Sequence, residues 1–257
     1  MTDALLNVIN VSHSFGGLMA IQNLSFNVRA GQIKAVIGPN GAGKTTLFNL
    51  ITGVIPVTYG SIKFKGRDIT ALKSYEIARL GVSRTFQNVR LFARMTVLEN
   101  VMIGRHCRTG SSIFSAGLRL SSMKHEEKEI LSDSLKILRF VGLYEKAQLI
   151  GSELPIGDQK VLEIARALAT EPSLLLVDEP VAGLNDVESA SVAGLIEKIR
   201  ASGTTILLVE HDMKVVMGIS DEILVLNYGE KIAEGLSDEV KHDERVISAY
   251  LGEEEDA

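Results

Sequence analysis

The sequence predicts an α/β protein: a mostly parallel sheet covered by helices on both faces, with a small antiparallel β region and an inserted helical lobe. Three observations predict it. Apolar, β-rich runs alternate with helical patterns along most of the chain, which is the rhythm of a parallel sheet. Strand candidates near the start lie among turn glycines, which is the rhythm of an antiparallel one. Between Phe86 and Leu154 the pattern turns mostly helical. With 257 residues, 46% of them hydrophobic, the chain can bury one sizeable core and is too short for several independent domains. One composite domain is expected, with residues 1–87 and 160–257 as the core and residues 88–159 as the helical part.

In chain order, residues 5–11, 24–28 and 61–65 are short strand candidates flanked by Gly16-Gly17, Gly31, Gly60 and Gly66, and they form the antiparallel region. Residues 33–37, 82–86, 174–177, 204–209 and 223–226 are apolar runs that read as strands buried on both faces. Thr46 to Ile51 carries a helical pattern. Thr96-Val97-Leu98-Glu99 has the spacing of a capping box, in which hydroxyl and carboxylate satisfy each other's backbone N–H groups at a helix start. Residues 105–125, with Gly110-Ser111-Ser112 and Ser121-Ser122, are the least regular stretch and read as a long surface connection.

The chemistry concentrates in three places. Gly38-Pro39-Asn40-Gly41-Ala42-Gly43-Lys44-Thr45 follows one buried strand and opens a helix, the context of a phosphate-binding loop. Its glycines let backbone amides converge on phosphate oxygens, and the helix N-terminus adds partial positive charge. Lys44 is placed to neutralise the β and γ phosphates, and the Thr45 hydroxyl to bind Mg²⁺, with Asn40, Gly41, Ala42, Gly43 and Thr46 completing the nucleotide cradle. The run Ser173 to Val177 ends abruptly in Asp178-Glu179. A strand whose carboxyl end opens into a ligand crevice ends this way: Asp178 is placed to hold Mg²⁺, and Glu179 to orient or deprotonate a water. The third place is Leu154-Pro155-Ile156-Gly157-Asp158-Gln159, directly before the helical pattern 161–169.

At these residues the chain resembles the ATP-binding cassette ATPases, a P-loop NTPase family with a RecA-like core. That family carries a Leu-Ser-Gly-Gly-Gln signature at this point. Here Leu154, Gly157 and Gln159 fit, Pro155 and Ile156 replace Ser-Gly, and Asp158 stands where Gln is usual. The resemblance covers essentially the whole chain, and further landmarks follow the family's order. It implies that Phe15 stacks on adenine, where the family usually has Tyr, and that Gln87 touches Mg²⁺ or water and senses a membrane partner. It implies that Ala182-Gly183-Leu184-Asn185-Asp186 crosses a dimer interface, that His211 contacts the γ phosphate, and that residues 154–159 contact ATP held by a second subunit. Ser14 to Ala20, Arg84 to Phe92, Met95 to Asn100 and Glu210-His211-Asp212-Met213 look like the ATPases of branched-chain amino acid importers. The Leu-Pro-x-Gly-Asp-Gln form and the long connection after Arg105 are similar to the longer of the two ATPase subunits those systems carry.

The resemblance implies an ATPase using ATP and Mg²⁺, paired with a second ATPase subunit and two transmembrane permease subunits, and served indirectly by an extracytoplasmic amino-acid-binding protein. Its expected place is the cytoplasmic face of the membrane, peripherally. Composition agrees with that placement. No apolar run approaches the roughly 18 residues that span a bilayer, although the mean hydropathy of +0.18 is high. A single cysteine, Cys107, excludes an internal disulfide, and the start MTDALLN lacks a secretory signal. A net charge of −5 argues against a nucleic-acid partner. The rival readings are an importer of urea, amides or aromatic acids, a cassette ATPase outside transport, and a P-loop kinase or GTPase. The last leaves residues 154–159 without a role.

Overall fold

The computed structural model describes residues 4–85, 91–106 and 120–251, with side chains left out of account at 120–124 and 251. Its elements run β1 (Ala4–Phe15), β2 (Leu18–Arg29), β3 (Ile33–Ile37), α1 (Lys44–Ile51), β4 (Tyr59–Phe64), β5 (Arg67–Asp68), α2 (Ser74–Leu80) and β6 (Val82–Arg84). There follow α3 (Val97–His106), α4 (Leu120–Val141), α5 (Ile156–Leu168), β7 (Leu174–Asp178), α6 (Asp186–Ala201), β8 (Thr205–Val209), α7 (Met213–Ile219), β9 (Glu222–Asn227), β10 (Glu230–Gly235), α8 (Ser237–Lys241) and α9 (Glu244–Leu251). The chain divides into two compact units, residues 1–84 with 173–257, and residues 85–172.

The first unit holds both sheets. Strands ordered β10-β9-β3-β8-β7-β6 form the larger one, parallel except at the β9–β10 pair, and β2-β1-β4-β5 form an antiparallel one. Every residue of β3, β7 and β8 is buried, the mark of central parallel strands covered on both faces. Along β3 the side chains divide accordingly: Val36 joins the core shared with β1, β2, β4 and α1, whereas Ala35 and Ile37 join the cluster under α7, α8 and α9.

The antiparallel strands run well past the expected 5–11 and 24–28. Their polar ends are held by ladder hydrogen bonds as far as the Phe15↔Leu18 pair, where Gly16-Gly17 turn the chain. Asn10 and Asn23 bulge at φ 49° and 46°, a conformation asparagine tolerates. The strand expected at 82–86 ends at Arg84, and Phe86 lies outside the described residues. Strand β10 had no counterpart in the hydropathy pattern, because an edge strand needs only one apolar face and β10 buries just Ala233.

The second unit is helical around Val97, Val101, Leu138, Leu143, Leu154, Leu162, Ala165 and Ala169. Its capping box is present: Thr96 N–H donates to Glu99 Oε2 at 2.7 Å and Glu99 N–H to Thr96 Oγ1 at 3.1 Å. Two expectations change. The stretch 105–125 is not one irregular connection, since α3 continues through His106 and α4 begins at Leu120, with 107–119 outside the described residues. The division expected at 159/160 would cut α5, whose Leu162 and Ala165, with Ala169 just beyond its end, belong to this helical core.

Candidate functional site

Three loops leave the carboxyl ends of three adjacent parallel strands. In the ladder, β8 lies between β3 and β7, with Val209 opposite both Val36 and Asp178. The loop 38–44 leaves β3, Glu179 follows β7, and Glu210-His211 follow β8, so all open at one edge of the sheet, the position at which such sheets bind ligands.

The first loop is shaped by backbone strain that only glycine relieves. Gly43 sits at φ 100° as the N-cap of α1, and a Cβ there would lie 2.6 Å from Ala20 O and 2.8 Å from Ile21 Cδ1. The tight approach brings β2 against the loop. Ile21 pairs with His13 and Leu18 with Phe15, so the hairpin end that carries Phe15 rises beside the same strand. Phe15 is 51% exposed, and its ring lies T-shaped to His13 with centroids 4.6 Å apart, so about half of the aromatic residue is open to a ligand. Lys44 is buried, and its Nζ donates to Gly38 O at 2.5 Å and Pro39 O at 2.8 Å, which holds the cation over the loop. Thr45, one residue into the helix, is exposed.

Asp178 is buried and paired with Arg84: Nη2 lies 2.8 Å from Oδ2, while Nη1 donates to Asn49 Oδ1 at 2.6 Å. Burial raises the Asp178 carboxyl above its ordinary pKa, while the Arg84 hydrogen bond and charge, and the Lys44 charge, oppose the rise. Glu179 adopts φ 46°, rare for a side chain of this size, with its N–H donating to Val209 O at 2.9 Å. That twist aims its carboxylate at the neighbouring loop, where Oε1 lies 3.0 Å from His211 Nε2. An ionised carboxylate can only accept, so the imidazole carries its hydrogen on Nε2 when the pair is formed.

Residues 154–159 lie in the helical unit. Leu154 is buried, and its carbonyl accepts from Gln159 Nε2 at 2.7 Å, closing the turn before α5. Asp158 is ion-paired with Lys146. This explains an acid where the family motif has Gln, because it also sits in the first turn of α5 and complements the helix dipole. Pro155 and Ile156 are exposed, and Gly157 is half-buried. Pro155 is the N-cap of α5 at φ −53°, ψ 153°, with no side-chain cap, and not the first helical residue that its ring favours. Gln87 falls outside the described residues. Downstream of Glu179, Asn185 caps α6 by accepting from Val187 and Glu188 N–H at 3.0 Å each.

Sequence reasoning missed Arg84, Asn49 and Glu210 as site residues. A lone cation closing a short strand, and an acid between an apolar strand and His211, were the available signals. Neither declares its partner before the strands are laid side by side.

The model of the family described as "ABC transporter" matches residues 21–182. The chain belongs to the ABC transporter family. A second model, described as a branched-chain amino acid ATP-binding cassette transporter, matches residues 230–256. Among curated ABC transporter proteins, the chain is 45% identical over 254 residues to the high-affinity branched-chain amino acid transport ATP-binding protein LivG of Salmonella typhimurium, covering 98% of this chain and 100% of that protein. It is 41% identical to BraF of Pseudomonas aeruginosa at the same coverage. A crystal structure described as the ADP conformation of an ATP-binding cassette of an ABC transporter superposes with a TM-score of 0.86 at 33% identity, covering 98% of this chain and all of the other. The ABC ATPase fold expected from residues 38–45, 154–159 and 178–179 is therefore the fold of this chain.

Proposed function

We infer that this chain is the ATP-hydrolysing subunit of an importer for branched-chain amino acids. The observation that carries the reading is the Glu179–His211 pair at 3.0 Å, set at the sheet edge that also bears the Lys44 loop. Its cargo is supported by the LivG and BraF relatives and by the C-terminal family match.

ATP would lie with its phosphates against the amides of residues 40–46 and its base on Phe15. Lys44 Nζ exchanges the carbonyls of Gly38 and Pro39 for phosphate oxygens, an exchange of acceptors that leaves the cation satisfied in both states. Thr45 and Asp178 offer a hydroxyl and a carboxylate, the hard oxygen donors that Mg²⁺ prefers, and Gln87 is the third candidate ligand. Held there, Mg²⁺ would supply charge neutralisation for phosphoryl transfer. Glu179 orients the attacking water and accepts its proton, while His211 holds that carboxylate and faces the γ phosphate. The γ phosphoryl passes to water, giving ADP and phosphate.

Leu154, Pro155, Ile156, Gly157, Asp158 and Gln159 serve ATP held by a second ATPase subunit. Two permease subunits complete the assembly and an extracytoplasmic binding protein feeds it. No helix among the described residues is long and apolar enough to cross a membrane. In this reading the chain attaches peripherally to the cytoplasmic face through the permease. The test is to co-purify the permease, measure ATP hydrolysis, and measure leucine uptake in a deletion strain complemented with the unmodified chain or with Glu179→Gln. Restored leucine uptake by the unmodified chain alone supports the reading. Restoration of urea or aromatic-acid uptake instead would reassign the cargo.

A further inference from the structure

We propose that Glu210 is a positioning residue for hydrolysis, which locks the segment after Glu179 to the His211 turn so that the two side chains meet; this rests on the functional reading above. Glu210 is 2% exposed, an unusual place for a carboxylate, and its hydrogen-bond partners among the described residues are backbone N–H groups. Its charge is met by backbone amides. Oε1 accepts from Val181 N–H at 2.9 Å, and Oε2 accepts from His211 N–H at 2.7 Å and from Asp212 N–H at 3.2 Å. Hydrogen bonds to an ionised acceptor are the strong ones, and each of these ties a loop rather than a strand.

The geometry makes the carboxylate a bridge. Val181 lies two residues beyond Glu179 and opens the turn Ala182-Gly183-Leu184-Asn185, in which Ala182 N–H returns to Glu179 O at 3.3 Å and Leu184 N–H to Val181 O at 3.1 Å. His211 and Asp212 begin the next loop, and Asp212 Oδ1 caps α7 through Lys214 N–H at 2.8 Å. Backbone ladder bonds end at the Asp178↔Val209 pair, with Glu179 N–H to Val209 O as the last rung. Beyond that rung, Glu210 joins the two loops through buried backbone amides, while the Glu179–His211 contact and the exposed Lys214–Asp186 pair at 3.9 Å join them through side chains. A neighbour pressing on residues 182–186 would then move His211 through this carboxylate, with no rearrangement of the sheet.

Glutamine is the informative replacement. It has the same shape and one accepting oxygen, so it can serve Val181 or the His211 turn but presents N–H to N–H at the other. In the assembled transporter, Glu210→Gln is expected to lower kcat about tenfold or more, the scale on which misplacement of catalytic groups acts. KM and the Kd for ATP of the isolated subunit should stay within about twofold. In a His211→Ala background the same substitution should cost almost nothing further, because its effect acts through His211. A kcat within about twofold of the unmodified protein overturns the proposal, as does a parallel loss of ATP affinity or an undiminished loss in the His211→Ala background. Backbone amide exchange gives a second decision that needs neither a folded variant nor turnover. Slow exchange at both Val181 and His211 in the unmodified chain supports the bridge, and fast exchange at either overturns it. If the unmodified complex has no ATPase activity, the functional reading fails, and amide exchange still decides whether Glu210 links the loops.

Discussion

Replacing Arg84 by Met keeps most of the apolar stem and removes the guanidinium that faces Asp178. The pair is 2.8 Å apart with side chains only 8% and 2% exposed, so solvent screens it little. Removing one partner of such a pair costs about 3–5 kcal/mol, because the remaining charge stays buried. The bond to Asn49 and the cation–π contact with Phe48, 5.3 Å to the ring centroid, fall within that figure and do not simply add to it. Against a typical net stability of about 5–15 kcal/mol the loss is large. At about 2–4 °C per kcal/mol for a chain of this size, the melting temperature should fall by roughly 6–20 °C.

The loss should also depend on pH. Burial already raises the Asp178 carboxyl above its ordinary value, with Arg84 opposing the rise, so Arg84→Met raises it further. A carboxyl with a raised folded-state pKa favours the fold when protonated and loses that contribution as pH climbs through the raised value. The deficit of Arg84→Met should therefore be greatest near pH 7 and shrink toward pH 4, and Asp178→Asn added to Arg84→Met should recover much of it. Urea unfolding at pH 4, 5.5 and 7 reads this directly. A deficit below about 1 kcal/mol at pH 7, or one unchanged across the series, would refute the reasoning.

Three further outcomes follow from the site. Glu179→Gln should retain ATP binding in a fluorescent-nucleotide titration and, on the proposed role of Glu179 as proton acceptor, lose about 10²-fold or more in steady-state turnover; near-normal hydrolysis in the complex would remove Glu179 from that role. Gly43→Ala should abolish nucleotide binding in the same titration, because its Cβ would sit 2.6 Å from Ala20 O at φ 100°. Pro155→Ser, adding a side-chain cap to α5 where there is none, should raise stability by about 0.5–1 kcal/mol in chemical unfolding. If it also leaves ATP-driven pairing of subunits unaltered, the missing hydroxyl has no part in the intersubunit contact.

The buried parallel strands were legible because burial on both faces writes itself as an unbroken apolar run, as in Leu174 to Val177. The loop at 38–45 was legible because its conformation demands glycine at fixed spacing. Boundaries of the antiparallel strands were not legible, since His13 and Ser14 are held by ladder partners on β2, and Ser12 by one on β4, that local sequence does not name. Arg84 and Glu210 were missed for the same reason. Their significance lies in a partner 94 residues away in one case and 29 in the other.

By itself, then, the sequence determined which groups could do chemistry: Asp178, Glu179 and His211 stand at or just beyond the end of an apolar run, Lys44 closes the glycine loop that follows another, and both are local properties. Only the tertiary structure decided that β8 lies between β3 and β7, which brings those strand ends to one edge of the sheet. It also decided that Glu179 twists to φ 46° to meet His211, and that a buried carboxylate at Glu210 joins the two loops beneath them. Strand order and the pairing of buried charges are set by packing over the whole unit, where an unpaired charge costs far more than any local preference contributes.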